Sequence, residues 1–334
     1  MKKFLVGFMT VMLIILIGMG GYVYKLIVAV SEADAAHGAE NIVHTPIDKE
    51  DLGISDTAPD EKDTNVINVL LFGLDRRSKS GNARSDAIMI ATLDKKNGQL
   101  KLTSLMRDSY VDIPGHGKNR LNAAYSFGGP VLAIKTVNQN FNLNITRYVT
   151  VDFFALEKII NTLGGVDIDV KQSEIKYVNQ YLQELNSLDK KNKSPYLKKA
   201  GLQTLDGKQA VAYSRIRYVG NGDFERTERQ RRVLAALFDK VKNMSVLKVP
   251  DLVADIFPYT ETNIPISEIV SMGTTVLSLE DKEIYQFRIP ADGAFEGKRI
   301  NGMDVLALDM EKNIQLLHDF LHNKIEKTVE EAEK

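Results

Sequence analysis

The chain has 334 residues, with 43 Lys and Arg against 44 Asp and Glu and a formal net charge of -1. The charge of the whole chain therefore indicates neither nucleic acid nor an acidic polymer as a partner. The hydrophobic content of 44% excludes a wholly disordered chain, and the absence of cysteine excludes disulfides, thiolate metal sites and cysteine nucleophiles.

The N-terminus carries a candidate membrane anchor. Lys2 and Lys3 precede an uncharged run of 21 residues, 4–24, which as a helix is long enough to cross a bilayer core of about 30 Å. The charges on either side predict a cytoplasmic segment 1–3 and an extracellular remainder, hence a single-pass type II protein of the cell membrane. Small residues at 33–35 leave a cleaved signal peptide as the alternative, although the apolar run is longer than such peptides use. A buried helix of a soluble protein is disfavoured because no polar face interrupts the run.

Residues 25–64 are predicted to form an acidic extracellular tether, because 31–64 contain ten acidic residues and two lysines with few large apolar side chains. The remaining residues, 65–334, are predicted to form one extracellular domain with a net charge of +4 and its motifs within 66–241. The charge of the whole chain is therefore an average over unlike parts.

The domain shows strand and helix patterns in alternation. Strands are predicted over 65–74, 87–93, 100–105, 148–153, 166–170 and 284–290, and helices over 130–141, 155–163, 223–241 and 302–324. The polar, lysine-rich stretch 171–200 is predicted to be a mobile or helical insertion. These elements predict an α/β (α+β) fold with a central mixed, twisted sheet that has helices on both faces.

Arginines gather at the ends of the predicted strands and in turns. They are Arg76, Arg77, Arg84, Arg107, Arg215, Arg217, Arg226, Arg229, Arg231 and Arg232, and six of them fall between 215 and 232. Guanidinium groups bind phosphate oxygens in pairs, and loops at the carboxyl ends of strands commonly form a ligand crevice. The pattern predicts an anion site, against the alternative of ordinary surface arginines.

The helix predicted from Asp223 strengthens the prediction of an anion site. Asp223 is expected to be its N-cap, with Arg226 and Gln230 on the same face. A helix N-terminus carries partial positive charge and free amide donors, which favour phosphate.

Two carboxylates adjoin the arginines. Asp75 follows the first strand and Asp86 begins the second, and two carboxylates with a phosphorylated ligand commonly hold Mg²⁺. The alternative is a pair of surface ion pairs. The spacing of His318, Asp319 and His322 differs from that of a zinc protease, so these are interpreted as helix residues.

The motifs resemble, in order, the LytR-CpsA-Psr family of Gram-positive envelope proteins. The matching stretches are VLLFGLDRR at 69–77, RSDAIMI at 84–90, LTSLMRDSYVDIPG at 102–115, NAAYSFGG at 122–129, LDGKQAVAYSRIR at 205–217 and NGDFERTERQR at 221–231. One departure is Arg120 before Leu-Asn, where relatives often have lysine, so Arg120 or Lys118 would supply that charge.

The resemblance implies a LytR-CpsA-Psr-type phosphotransferase that moves a teichoic acid, capsule or related glycopolymer from undecaprenyl pyrophosphate to the 6-hydroxyl of N-acetylmuramic acid in peptidoglycan. It implies Mg²⁺, or Mn²⁺, held by Asp75 and Asp86, and an apolar tunnel for the lipid. The implied catalytic residues are Asp75, Arg77, Arg84, Arg107 and Arg217. The implied residues that bind the pyrophosphate and lipid head group are Arg84, Arg107, Arg120, Arg215, Arg217, Asp223, Arg226 and Gln230. Asp75 is also the candidate general base for the acceptor hydroxyl.

Three alternatives remain open at this stage. The same residues would serve a pyrophosphatase that uses water as acceptor, or a non-catalytic anchored receptor for anionic lipids or polymers. Relatives have also been described as transcriptional attenuators, but an anchored external domain with a charge of +4 is not suited to binding DNA, so no nucleic-acid partner is expected.

Overall fold

The computed structural model describes residues 49–75 and 84–326. The predicted anchor, the first part of the predicted tether, and Arg76 and Arg77 lie outside these ranges. Within them, no helix is both long and apolar enough to cross a bilayer.

The described residues form twelve strands and nine α-helices. The strands are β1 Val66–Leu74, β2 Ser85–Asp94, β3 Gln99–Leu105, β4 Ser109–Ile113, β5 Gly117–Arg120, β6 Arg147–Asp152, β7 Val166–Val170, β8 Gly201–Leu205, β9 Glu261–Thr262, β10 Ile284–Ile289, β11 Phe295–Ile300 and β12 Met303–Leu308. The helices are α1 Glu61–Thr64, α2 Leu121–Phe141, α3 Phe153–Thr162, α4 Gln172–Leu188, α5 Gly207–Ser214, α6 Asp223–Val241, α7 Val249–Ile256, α8 Ile266–Ser278 and α9 Met310–His322.

The main sheet is mixed and has the strand order β10-β3-β2-β1-β6-β9. Strand β1 is parallel to β6 and antiparallel to β2, which is antiparallel to β3, and β3 is parallel to β10. The carboxyl ends of β1, β3, β6 and β10 therefore meet the amino end of β2 at one edge, which we call the carboxyl edge. The opposite edge is the amino edge.

The two faces of this sheet are covered differently. Leu70, Phe72 and Leu74 point to one face and are buried in a closed core against α2 and α9. Val69 and Leu71 alternate with them and point to the other face, where they are only partly buried. Helices α6, α7 and α8 lie over that second face, and apolar cavities separate them from the strands.

Several elements differ from the sequence predictions. Helix α2 begins at Leu121 rather than near Pro130, and Gly128 and Gly129 interrupt it with a kink. The stretch predicted as an insertion contains the ordered helix α4, whose apolar face packs into a second core with α5 and α6. The prediction of an exposed tether is wrong for the described part of that stretch. Leu52 is fully buried in the main core, and Glu61 pairs with Arg147 at 2.6 Å.

Candidate functional site

Asp86 is at the centre of a cluster of arginines at the carboxyl edge. Arg107 Nη1 donates to Asp86 Oδ1 at 2.7 Å, and Arg217 Nη2 lies 3.4 Å from Asp86 Oδ2. Arg226 Nη2 lies 3.4 Å from the backbone oxygen of Asp86. Burial alone raises the pKa of Asp86, but the charges of Arg226, Arg107 and Arg217 outweigh it and hold the pKa below its usual value. Asp86 is therefore ionised at neutral pH.

Asp223 is a second carboxylate that contacts the same three arginines as Asp86. Its Oδ2 lies 2.9 Å from Arg226 Nη2 and 3.3 Å from Arg107 Nε, and its Oδ1 lies 3.9 Å from Arg217 Nε. The prediction that Asp223 is the N-cap is wrong. Gly222 takes that position with φ 61°, a conformation that glycine adopts without a steric penalty, and Asp223 is the first helical residue. Its side chain thereby orients the arginines rather than capping the helix.

Arg226 is not fully satisfied by the protein groups around it. Its side chain is 3% exposed, and its Nε is buried without a hydrogen-bond partner among the described residues. Burial lowers the pKa of Arg226 to about 10; Asp223 opposes this, and the positive charges of Arg107 and Arg217 add to the lowering. A buried cation in this situation is stabilised by a further anion, so the cluster has the electrostatics of an anion-binding site.

Arg107 is held rigidly because its backbone lies where the main sheet meets a second sheet, which has four strands in the order β11-β12-β4-β5. Met106 N donates to Ile289 O at the end of β10, at 2.8 Å, and Leu306 N of β12 donates to Asp108 O at 2.9 Å. Asn122 N, in the first turn of α2, donates to Arg107 O at 3.1 Å. The guanidinium therefore extends from a backbone fixed on both sides, which is the preorganisation that binding and catalysis require.

Arg229 positions the segment that carries Arg217, a role that the sequence did not indicate. Its Nε donates to Glu174 Oε1 of α4 at 2.8 Å, and its Nη2 lies 2.8 Å from Glu225 Oε2. The same guanidinium lies 3.3 Å from two carbonyl oxygens of the loop after α5, those of Ile216 and Val219. The buried Arg229 thus ties α4 and α6 to the loop on either side of Arg217. Its position on the face of Val233 and Ala236, both buried, would have predicted its burial.

An apolar trench leads away from the arginine cluster under α6. A cavity of about 560 Å³ has Asp75, Asp86, Arg217, Arg226 and Gln230 on its wall at the carboxyl edge, and apolar residues beyond them. A second cavity of about 490 Å³ is almost wholly apolar and extends towards the amino edge. Both cavities are lined by Leu71, Val149, Leu234, Ile256 and Thr260. The two cavities therefore adjoin, and together they form what we call the trench.

The other predicted site residues lie around this cluster. Arg215 is on the cavity wall, where its guanidinium lies 4.9 Å from the ring centres of both Phe153 and Tyr181 and 3.4 Å from Glu184 Oε1. Arg120 reaches the cluster indirectly, since its Nη1 lies 3.3 Å from Asp108 Oδ1. Two predicted site residues are not part of the cluster as described. Arg84 is exposed just before β2 and is not on the cavity wall, and Arg77 lies outside the described residues.

Asp75 and Asp86 are on the wall of the same cavity, and both offer the hard oxygen ligands that Mg²⁺ prefers. No group of three or more acidic or histidine side chains suited to a metal ion occurs in the ranges 49–75 and 84–326. The two aspartates fit an ion that takes its other ligands from phosphate oxygens and water. Metal binding remains a prediction.

Inorganic pyrophosphate is expected to stabilise the protein by binding this cluster. At a pyrophosphate concentration 100 times its Kd, the free energy of unfolding should rise by about 2.7 kcal/mol, which corresponds to a Tm increase of roughly 5–10 °C for a domain of this size. Differential scanning fluorimetry of the full chain at constant ionic strength measures it. Arg226→Met should abolish the increase, whereas Arg299→Met, at a side chain 73% exposed on β11, should retain it. An equal increase in both variants would contradict the assignment.

Comparisons with known proteins agree with the motifs. The LytR_cpsA_psr family profile matches residues 23–319. The regulatory protein MsrR of Staphylococcus aureus is 34% identical over 265 residues, which is 78% of this chain and 76% of MsrR. The polyisoprenyl-teichoic acid–peptidoglycan teichoic acid transferase TagV of Bacillus subtilis is 31% identical over 297 residues, 85% of this chain and 70% of TagV.

A solved structure shows the same fold. It is the LytR-CPS2A-psr family protein YwtF (TagT) with bound octaprenyl pyrophosphate lipid, which has a TM-score of 0.58 and 26% identity, and the match covers 84% of this chain and 96% of that one. The mixed α/β architecture, the profile match and the identity to MsrR agree with the ordered motifs around Asp75, Asp86 and the arginines. The chain is therefore a member of the LytR_cpsA_psr family.

Proposed function

We propose that this protein is a phosphotransferase that moves a glycopolymer, of the teichoic acid or capsule type, from undecaprenyl pyrophosphate to the 6-hydroxyl of N-acetylmuramic acid in peptidoglycan. The observation that carries the proposal is the arginine cluster around Asp86 at the mouth of an apolar trench. A pyrophosphate with a long apolar tail and a polar glycan needs this combination of surfaces. The relative TagV, which is named as a transferase, and the octaprenyl pyrophosphate lipid bound to the related protein YwtF (TagT) support it.

The trench is long enough to hold a substantial part of a polyprenyl tail. From Ile67 to Asp75 the wall follows β1 for eight residue steps, about 26 Å at the rise of a strand. Helix α6 runs beside it, with Arg226 at the mouth, Leu234 in the middle and Phe238 in the second cavity. Burial of an isoprenoid against these side chains contributes about 25 cal/mol per Å² of apolar surface, so the trench would supply much of the affinity for the donor.

The proposed reaction exchanges one phosphorus–oxygen bond for another. The acceptor hydroxyl oxygen attacks the phosphorus that carries the glycan, and the bond from that phosphorus to the bridging oxygen breaks. The bridging oxygen leaves with the polyprenyl phosphate, and the hydroxyl proton passes to a base, for which Asp75 on the cavity wall is the candidate. Arg107, Arg217 and Arg226, which surround Asp86, would neutralise the charge that develops on the phosphate oxygens.

Asp75 and Asp86 would hold Mg²⁺ during this reaction, with Mn²⁺ as a substitute. When bound, the ion would neutralise and orient pyrophosphate oxygens alongside the arginines. The proposal also places the domain outside the cell, on an anchor formed by 4–24, where both the lipid-linked donor and peptidoglycan are accessible. The test is the release of polyprenyl phosphate from a synthetic donor by the purified full chain in the presence of peptidoglycan, with Mg²⁺ or with EDTA. No release in the presence of both Mg²⁺ and peptidoglycan would refute the proposal.

Filling the middle of the trench should weaken binding of the lipid but not of the pyrophosphate. Leu234 lines both cavities, so Leu234→Trp is expected to reduce the affinity for a long-chain polyprenyl pyrophosphate about tenfold through the lost tail contacts. Affinity for inorganic pyrophosphate should stay within about twofold, which is less than 0.5 kcal/mol. Isothermal titration calorimetry measures both. Leu188→Trp, at an exposed site on α4, is the control, and an equal effect of the two variants would argue against a tail in the trench.

A further inference from the structure

The trench has a defined second end at the amino edge of the main sheet. Its second cavity is lined by Ile67 of β1, Leu100 of β3 and Ile284 of β10, each at or next to the start of its strand. Helix α6 runs in the same direction and ends at Val241, just beyond Phe238. A tail whose pyrophosphate lies at the carboxyl edge therefore points towards the amino edge.

Beyond the end of α6, residues 242–249 form what we call the distal rim. Leu247 is 79% exposed, and Val246 beside it is 38% exposed. The rim contains Lys242 and Lys248 and no acidic residue; Lys242 Nζ pairs with Asp239 Oδ1 in the last turn of α6 at 2.5 Å, which leaves Lys248 as the lysine beside Leu247. It contacts α7 and α8, which cover the second cavity, and Lys282 Nζ, two residues before β10, donates to Lys242 O at 2.7 Å. This contact holds the rim at the amino edge.

The chain also enters the domain at the amino edge. Strand β1 begins there at Val66, and α1 immediately before it is tied to the start of β6 by the ion pair between Glu61 and Arg147. Arg147 also contacts Glu268 of α8 at 2.5 Å, so the entry point, the start of β6 and a helix over the second cavity are joined. Residues 61–66 therefore lie at the edge where the trench ends, and the predicted anchor precedes them in the sequence.

From these three features we infer that the distal rim docks on an anionic bilayer, with Val246 and Leu247 inserted among the lipids and Lys248 at the head groups. Apolar side chains beside a lysine suit the bilayer interface, where the chains enter the acyl boundary and the ammonium group pairs with anionic lipid. Docking there would let a lipid tail pass from the bilayer into the trench without crossing water. It would turn the arginine cluster away from the membrane, towards the wall. The inference rests on the proposed function for the lipid that the trench holds.

The chain has no cysteine, so a single introduced thiol can be labelled without interference. Leu247→Cys and Tyr218→Cys place a bimane label at sites 79% and 72% exposed, the first on the distal rim and the second beside Arg217 at the cavity mouth. The full chain is reconstituted into vesicles of phosphatidylglycerol and phosphatidylcholine with brominated acyl chains. We expect strong quenching at position 247, because a docked interfacial residue lies about 5–10 Å into the bilayer boundary, where the brominated chains begin. We expect little quenching at position 218, because it lies at the opposite end of the trench. Equal quenching at both positions, or none at 247, would overturn the inference.

A second experiment separates docking from catalysis. Val246→Glu combined with Leu247→Glu should lower transfer from a long-chain donor embedded in vesicles about tenfold, and leave transfer from a short-chain, water-soluble donor unchanged. Leu188→Glu on α4 is the control and should affect neither. Equal losses with both donors would overturn the docking role. Absence of transfer by the unaltered chain would refute the proposed function instead, while the quenching result, obtained without donor, would still decide on docking.

Discussion

Asp86→Asn is expected to lower the rate of glycopolymer transfer by about a hundred- to a thousandfold while the protein remains folded. The carboxylate contacts Arg107 at 2.7 Å and Arg217 at 3.4 Å, and an amide keeps the shape but loses the charge that holds these cations together. Loss of a preorganised group in a charge-stabilising site typically has an effect of this size. Steady-state kinetics with lipid-linked donor measure it.

Asp112→Asn is the matched control, because this carboxylate is exposed on β4 in the second sheet. It should retain near-normal kcat. Circular dichroism should be similar for the two variants, and both should be fully folded at the assay temperature, which separates a catalytic effect from unfolding. Equal activity of the Asp86 variant and the unaltered chain would remove Asp86 from the mechanism.

The direction of the pKa shift adds an acid-pH prediction for the same residue. The folded-state pKa of Asp86 lies below its usual value, despite burial, because of Arg226, Arg107 and Arg217. Its ionisation therefore stabilises the folded protein at neutral pH, and this contribution is lost as the pH falls through the folded-state pKa. The Asp86→Asn variant should lack this component, so the difference in Tm between the two proteins should shrink towards acid pH.

Arg229→Met is expected to reduce the free energy of unfolding by about 3–5 kcal/mol, because it leaves the carboxylate of Glu174 buried without its cation. The two side chains are 2% and 0% exposed and lie 2.8 Å apart. A loss of that size lowers the Tm of a large domain by roughly 10 °C. Because Arg229 also holds the loop on either side of Arg217, the kcat of the folded variant should fall as well.

Two controls make the Arg229 prediction specific. Arg232→Met removes a partly exposed ion pair to Glu228 on the same helix and a hydrogen bond to the Tyr213 hydroxyl, and should cost no more than about 2 kcal/mol. The double variant with Glu174→Gln removes both buried charges, so it should recover part of the stability without recovering kcat. A stability loss in Arg229→Met no larger than that in Arg232→Met would contradict the positioning role.

The sequence predicted much of the site because strand direction determines where the loops meet. Asp75 follows β1, Asp86 starts β2 and Arg107 follows β3, so one sheet topology brings all three to the carboxyl edge. Arg226 and Gln230 share a face of α6 because of helical spacing alone, and both are on the cavity wall.

What could not be predicted depends on long-range packing. The position of Arg215 between Phe153 and Tyr181 depends on the contact of α4 with α5, and α4 fell in a stretch too polar to identify as a packed helix. The lining of the trench could not be predicted from the sequence for a related reason. Val69 and Leu71 have the apolar character of core residues. Only the gap between the sheet and helices α6 to α8 distinguishes their surroundings from those of Leu70 and Phe72.

The central claim is the transfer of a phosphorylated glycan from lipid to wall, and it is tested most directly by following one phosphorus atom. The full chain is incubated with Mg²⁺, peptidoglycan and a polyprenyl pyrophosphate donor labelled with ³²P in the phosphate next to the glycan. The proposal predicts label covalently bound to muramic acid in the digested peptidoglycan, an equal amount of polyprenyl phosphate, and neither with Asp86→Asn. Label found only in free glycan phosphate would identify water as the acceptor and contradict the claim. Donor that is bound but left intact would identify a receptor, and would contradict it equally.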